Sequence, residues 1–163
     1  MVIYCSDHGE MLYDRGFHGK QLMYDQSSKV PLMIRPPRGF EEGRTSETMV
    51  SSLDLVATFL DLAGASIKIC HGESLMPTLK GEVESHREEV FSEMGPKKML
   101  RRGPWKYVYH PERNRQQLFN LVDDPNELVN RSGGEDVLEL ERDMRERVLE
   151  WLIETEEQPT ARR

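Results

Sequence analysis

Long apolar runs are missing from this sequence. None approaches the ~18–20 residues needed to cross a bilayer, so no membrane-spanning segment is read. Cysteine is nearly missing as well. Cys5 and Cys70 are the only two in 163 residues, with no CxxC spacing and no disulfide framework. Both sit beside apolar residues and are expected to be buried free thiols, which leaves the cellular compartment open. Basic charge is in deficit: 22 Lys and Arg face 29 Asp and Glu, for a net charge of -7. The basic clusters Lys97-Lys98, Arg101-Arg102 and Arg162-Arg163 are short. They read as solvated loops or strand ends rather than the patch that phosphate neutralisation requires, which argues against a nucleic-acid partner. Internal repeats and low-complexity tracts are also absent.

What remains is 37% hydrophobic and 31% charged, enough apolar material for a core under a charged surface. Met1-Val2-Ile3-Tyr4 reads as a buried strand with no charged n-region, so it is not a signal peptide. A strand that opens at the first residue leads to the expectation that the sequence starts inside a larger fold, as a fragment or a shortened reading frame.

Val2 to Cys5 is rich in β-formers and predicts a strand. Ser6-Asp7-His8-Gly9 ends it, a composition expected at the carboxyl edge of an α/β sheet, where ligands bind. A glycine-punctuated loop follows to Lys20, then a helical turn within 21–28. Val30 to Ile34 predicts a second strand, with Pro31 at its start or on an edge. Leu53, Val56, Ala57, Leu60 and Ala63 recur at helical spacing. Ser51 and Asp54 stand as a cap at one end of that helix and Gly64 at the other.

A short helical piece is expected around Leu75 to Leu79. Strands follow at Glu89–Glu93, Lys98–Arg102, Trp105–Tyr109 and Gln117–Leu121, the middle pair joined by a Gly103-Pro104 turn. Asp136 to Ile153 closes the chain as a helix with the stripe Val137, Leu140, Met144, Val148 and Leu152. Asp136 with Glu139 is the expected cap. The predicted division is 1–88, the end of an α/β layer; 89–155, a small antiparallel sheet packed by one helix; and 156–163, a polar tail.

Chemistry concentrates between Asp7 and Lys20. A carboxylate and a neutral imidazole are hard-oxygen and nitrogen donors for a divalent cation, and Gly9 lets the backbone turn between strand and loop. Lys20, at the far end of the loop, can return an ammonium over such an ion and hold an anionic substrate. From residue types alone, an Asp-His pair in a loop is first a surface turn, and the metal site is the second reading. Glu10, Asp14 and Arg15 read as solvated loop charges, with a contact to an anionic group as the alternative for Arg15. Trp105 and Tyr107 read as packing of the small sheet. His71, His86 and His110 have no partners at ligand spacing.

Four ordered segments carry a resemblance. SDHGEMLYDRGFHGKQLMYDQSSKVPLMIRPP is similar to the second metal-binding segment of sulfatases and phosphonate monoester hydrolases of the alkaline-phosphatase superfamily. In that segment Ser-Asp-His-Gly or Ser-Asp-Asn-Gly leads through a glycine-rich loop to a lysine and a Val-Pro-Leu strand. SSLDLVATFLDLAGA resembles the next helix of that family, with Ala57 where a proline is usual. HGESLMPTLKGE resembles its Gly-x-Ser-Leu-x-Pro-x-Leu-x-Gly segment, and GPWKYVYHPERNRQQLFNLVDDPNELVNRS its C-terminal strands and Asp-Pro-x-Glu-x-x-Asn ending. The matches span residues 2–132.

The resemblance implies the C-terminal portion of a sulfatase: part of an alkaline-phosphatase-like sheet plus the small sheet and helix. It implies Asp7 and His8 as metal ligands, for calcium or else manganese. It implies Lys20 as the catalytic group contacting sulfate or phosphate oxygens, with His18 as a second candidate substrate contact or a loop-packing residue. A sulfate-ester small molecule or glycan would be the substrate of the full-length parent. Carbohydrate, aryl and choline sulfates all stay open.

The family's formylglycine nucleophile arises in a Cys/Ser-x-Pro-x-Arg motif, which neither Cys5 nor Cys70 fits. The Asp-Asp pair that completes the family's metal site is also missing, and Asp123-Asp124 ends no buried strand. Calcium takes ~6–8 oxygens, so the site is incomplete and the chain alone is expected to be inactive. Two alternatives stand beside the sulfatase. One is a phosphonate or phosphate ester hydrolase of the same superfamily. The other is a non-catalytic module forming a homo-oligomer through the edge of a truncated sheet.

Overall fold

The structure, a computed structural model, describes residues 1–38, 40, 43–65, 70–111 and 115–156. The expected polar tail lies, but for residue 156, outside the described residues. The chain divides into two compact units, Met1–Ser92 and Glu93–Arg163. No helix among the described residues is long and apolar enough to cross a membrane.

In the first unit, strand β1 (Val2–Cys5) pairs antiparallel with β2 (Leu32–Arg35), with Ile3 opposite Ile34 and Cys5 opposite Leu32. Between them lie a single 3-10 turn, Asp14–Gly16, and the short helix α1 (Asp25–Ser28). The strands form where expected, but β1 is not buried. Val2 is 63% and Tyr4 60% exposed, and both cysteines are exposed rather than buried. β-Propensity marks a strand without saying how many layers cover it, and here the pair has two strands.

Helix α2 (Leu53–Leu62) corrects a second expectation. Its apolar residues Leu53, Val56 and Phe59 are about half exposed, while Asp54 and Thr58 are fully buried. Polar bonding explains the inversion. The Asp54 carboxylate accepts from the Ser51 N–H at 2.8 Å and the Glu73 N–H at 2.9 Å, and is paired with the Arg87 guanidinium and His86 Nε2. Thr58 Oγ1 donates to the Asp54 carbonyl at 2.6 Å and accepts from the Leu75 N–H at 2.9 Å. A buried carboxylate with this many donors holds its face inward against the pull of the apolar stripe.

Burial pushes the Asp54 carboxyl up. The Arg87 side chain, the two backbone donors and the Arg87 charge outweigh that, leaving it below its ordinary value. His86, to which the sequence assigned no role, is a member of this cluster, its side chain 5% exposed. Ser51 and Asp54 form the expected reciprocal cap, since the Leu53 N–H also reaches Ser51 Oγ. Gly64, at φ 61°, ends the helix with its N–H on the Asp61 carbonyl, a conformation that costs a Cβ-bearing residue more. Helix α3 (Met76–Lys80) follows.

The second sheet has the order β3 (Glu89–Met94), β4 (Lys97–Arg102), β5 (Trp105–His110), β6 (Arg115–Asn120). β3 runs across the boundary between the units. Arg102 sits opposite Trp105, so Gly103-Pro104 is a two-residue hairpin loop. Leu100, Tyr107 and Leu118 face one another in register and are fully buried. Helix α4 (Leu138–Thr155) packs on β4 and β5, burying Met144 and Val148 of the expected stripe.

Lys106, one residue from Tyr107 and so on the opposite face, is buried against Glu127 with Nζ–Oε1 at 2.7 Å. The expected Asp136 cap does not form. A 3-10 turn over Glu135–Val137 intervenes, and Asp136 pairs with Arg131 instead. The architecture is thus α/β, with a two-stranded and a four-stranded antiparallel sheet and a C-terminal helix over the second.

Candidate functional site

The candidate site begins where β1 ends. Gly9 is the pivot, for a reason different from the one expected. Its φ is not left-handed, but its backbone runs against helix α1 so closely that a Cβ there would lie 2.0 Å from the Gln26 carbonyl oxygen. The contact is sealed by the Gly9 N–H donating to the Ser27 carbonyl at 2.8 Å. No side chain larger than hydrogen fits unless one backbone shifts.

This anchorage fixes His8. The ring Nδ1 is 2.7 Å from the Gly9 carbonyl oxygen, which can only accept, so Nδ1 carries the hydrogen. In the neutral ring Nε2 is then left with its lone pair outward. Asp7 Oδ1 accepts from the His8 N–H at 3.0 Å, and Asp7 Oδ2 lies 3.4 Å from His8 Nε2. Asp7 Oδ2 and His8 Nε2 are thus neighbouring acceptor atoms, an arrangement that a positive charge stabilises. A cation addresses it: Lys20 Nζ is 2.5 Å from His8 Nε2, twelve residues away in sequence.

Lys20 is held there by the loop. The Lys20 carbonyl accepts from the buried Ser27 hydroxyl at 2.7 Å, and the Met11 N–H donates to the Gly19 carbonyl at 3.0 Å. Met11, within the loop, and Met23, just after it, are buried.

The structure thus brings together Asp7, His8 and Lys20, all in the first unit. The His18 ring lies 5.8 Å from that of Tyr13, and the residue is exposed. Arg15 is not a solvated charge: its guanidinium lies 4.1 Å over the Tyr24 ring. Glu10 is an exposed loop charge as expected, and its carboxylate also accepts the Gly19 N–H. No sequence signal marked either contact, because both depend on a loop path with non-glycine residues Leu12, Tyr13 and Arg15 at positive φ.

Asp7 and His8 are the donor types a divalent ion takes, and Nδ1–H bonded to a carbonyl is how ligating histidines are commonly oriented. Two such donors are fewer than a divalent ion takes. Among the described residues no group of three or more His, Cys, Asp and Glu side chains is gathered to hold an ion.

Known proteins resemble this chain over most of its length. The profile of the family described as N-sulphoglucosamine sulphohydrolase, C-terminal, matches residues 13–154. The choline-sulfatase of Rhizobium meliloti (strain 1021) is 40% identical over 141 residues, covering 80% of this chain and 26% of that protein. Human arylsulfatase K is 35% identical over 146 residues, covering 80% and 27%. The solved phosphonate monoester hydrolase of Silicibacter pomeroyi superposes with a TM-score of 0.84 at 27% identity, over 98% of this chain and 36% of that one. The chain therefore spans roughly a quarter to a third of the length of these relatives. Its fold is that of the C-terminal part of the alkaline-phosphatase-like sulfatases, and by the profile match over most of its length the chain belongs to the sulfatase family.

Proposed function

We propose that this chain supplies the C-terminal portion of a metal-dependent sulfuric-ester hydrolase, contributing Asp7 and His8 to a divalent-metal site and Lys20 to the binding of the sulfate group. The observation that carries this reading is that His8 Nε2 lies 3.4 Å from Asp7 Oδ2 and 2.5 Å from Lys20 Nζ, just beyond β1. A divalent cation, calcium by family pattern or else manganese, would act when bound as a Lewis acid on an anionic ester oxygen. Asp7 offers a carboxylate oxygen to that ion, and His8 offers Nε2 with Nδ1–H tied to Gly9. Lys20 offers a mobile ammonium to the sulfate oxygens, a charge-assisted contact that grows as charge builds on the leaving oxygen. The remaining metal ligands and the nucleophile are to come from outside this chain, whose sequence contains no Cys/Ser-x-Pro-x-Arg motif.

The similarity to the Silicibacter pomeroyi hydrolase favours a second reading, in which the ester is a phosphonate. Lys20 and the Asp-His pair would serve either anion, so the two differ in the parts of the enzyme beyond this chain.

The test is a chimera in which this chain replaces the corresponding C-terminal portion of the Rhizobium choline-sulfatase. The chimera is expected to hydrolyse a sulfate ester. The H8A and K20A chimeras are expected to lose at least a hundredfold in kcat/KM, and the chain alone to show no turnover. A folded, formylglycine-bearing chimera without activity, or turnover by the chain alone, would overturn the proposal. Preference of the active chimera for a phosphonate monoester over a sulfate ester would select the second reading.

A further inference from the structure

The loop that delivers Lys20 is an improbable one. Leu12, Tyr13 and Arg15 all adopt positive φ, at 46°, 66° and 54°, a region that is unfavourable for residues bearing a Cβ. Leu12 and Tyr13 are also largely exposed, so burial of their own side chains does not compensate. Such a backbone persists where its surroundings over-determine it. The restraint has to act across the base of the loop, and one side chain does so. Glu10 Oε1 accepts the Gly19 N–H, nine residues away, and lies 3.4 Å from the Leu12 N–H. Beside it, the Met11 N–H donates to the Gly19 carbonyl at 3.0 Å. Glu10 directly follows the Asp7-His8-Gly9 turn, and Gly19 directly precedes Lys20.

We infer that Glu10 is a positioning residue for Lys20: by gripping the Gly19 N–H it closes the loop at its base and sets the lysine ammonium against His8 Nε2. The inference rests on the reading of Lys20 as the anion-contacting group, and adds the part that puts it there. A carboxylate suits the task because a hydrogen bond with an ionised acceptor is stronger than a neutral one. Ser27 grips the other side of Lys20 through its carbonyl. The Met11 N–H and the Ser27 hydroxyl thus hold the two peptide units of Lys20, and Glu10 secures the peptide just before them.

The test uses the 15N-labelled chain without metal. Two signals are read: exchange of the Gly19 amide and the ring nitrogens of His8 in long-range 1H–15N spectra. In the wild type, His8 is expected in the Nδ1–H form, with Nε2 shifted by the Lys20 hydrogen bond. In Glu10→Ala the Gly19 amide is expected to exchange at least tenfold faster and the Nε2 shift to move to that of a Lys20→Ala chain. Amides of β4 to β6 should stay as slow as before. Glu10→Gln, whose amide oxygen accepts the same N–H, is expected to keep the wild-type His8 signature.

Unchanged Gly19 exchange in a folded E10A chain would overturn the inference, as would a moved Gly19 amide with an unmoved His8 ring. If E10A unfolds the first unit, the Gln variant decides: a folded E10Q chain that has lost the His8 signature also overturns it. Failure of the metal reading would leave these results intact, because no metal enters the measurement.

Discussion

The carbonyl oxygen of Gly9 lies 2.7 Å from Nδ1 of His8, and this contact between neighbours decides which edge of the imidazole is available for chemistry. With the hydrogen committed to Nδ1, the Nε2 lone pair faces outward beside Asp7 Oδ2 and the Lys20 ammonium. The backbone that makes the contact is in turn pinned to helix α1 by the Gly9–Ser27 hydrogen bond.

Gly9→Ala places a methyl 2.0 Å from the Gln26 carbonyl oxygen, so the turn or α1 must move. Over-packing of this kind costs about 1–3 kcal/mol. The variant is expected to destabilise the first unit by that amount and to abolish the His8–Lys20 contact. Amide exchange at β2 in urea checks the stability, and the His8 ring nitrogens check the contact.

Asp54→Asn strips the charge from a carboxylate that is 0% exposed and holds Arg87 and His86. Breaking a buried pair by removing one partner costs about 3–5 kcal/mol, and a loss of that order is expected in the first unit. The pH dependence follows from the lowered carboxyl pKa. An unfolded Asp titrates near about pH 4, and the folded one below it. The stabilisation is therefore full above pH 4 and is lost as pH falls through the folded value. Urea midpoints from pH 7 to 2 should fall more steeply below pH 4 for the wild type than for D54N.

Glu127→Ala leaves the Lys106 ammonium, buried on the far face of β5, without this carboxylate. About 3–5 kcal/mol of destabilisation is expected, with part of it regained in the K106M/E127A double variant, which buries no charge at this pair. Trp105 and Trp151, the only tryptophans, both belong to the second unit. Their fluorescence in denaturant reads this effect there.

Strand and helix positions were legible because they depend on local period and turn chemistry. The Arg102–Trp105 hairpin and the α4 stripe of Met144 and Val148 follow from alternation, from Gly103-Pro104 and from 3.6-residue spacing. Burial in the first unit was not legible. The apolar stripe of α2 promised an inward face, but Asp54 and Thr58 hold the inside through partners at positions 73, 75, 86 and 87, far along the chain.

The same reason separates the parts of the candidate site. Asp7, His8 and Lys20 could be named from a motif. The grip of Glu10 on Gly19, the seat of Arg15 on Tyr24 and the approach of His18 to Tyr13 depend on left-handed backbone at non-glycine residues. No composition rule forecasts that path.

The most direct test of the proposed Asp7–His8 metal site is titration of the 15N-labelled chain with Mn2+, whose paramagnetism broadens the signals of nearby nuclei. The account predicts that Asp7, His8 and Lys20 broaden first, at concentrations that leave the other carboxylates sharp, and that His8→Ala removes this preference. Broadening spread evenly over the acidic surface, unchanged by His8→Ala, would contradict it.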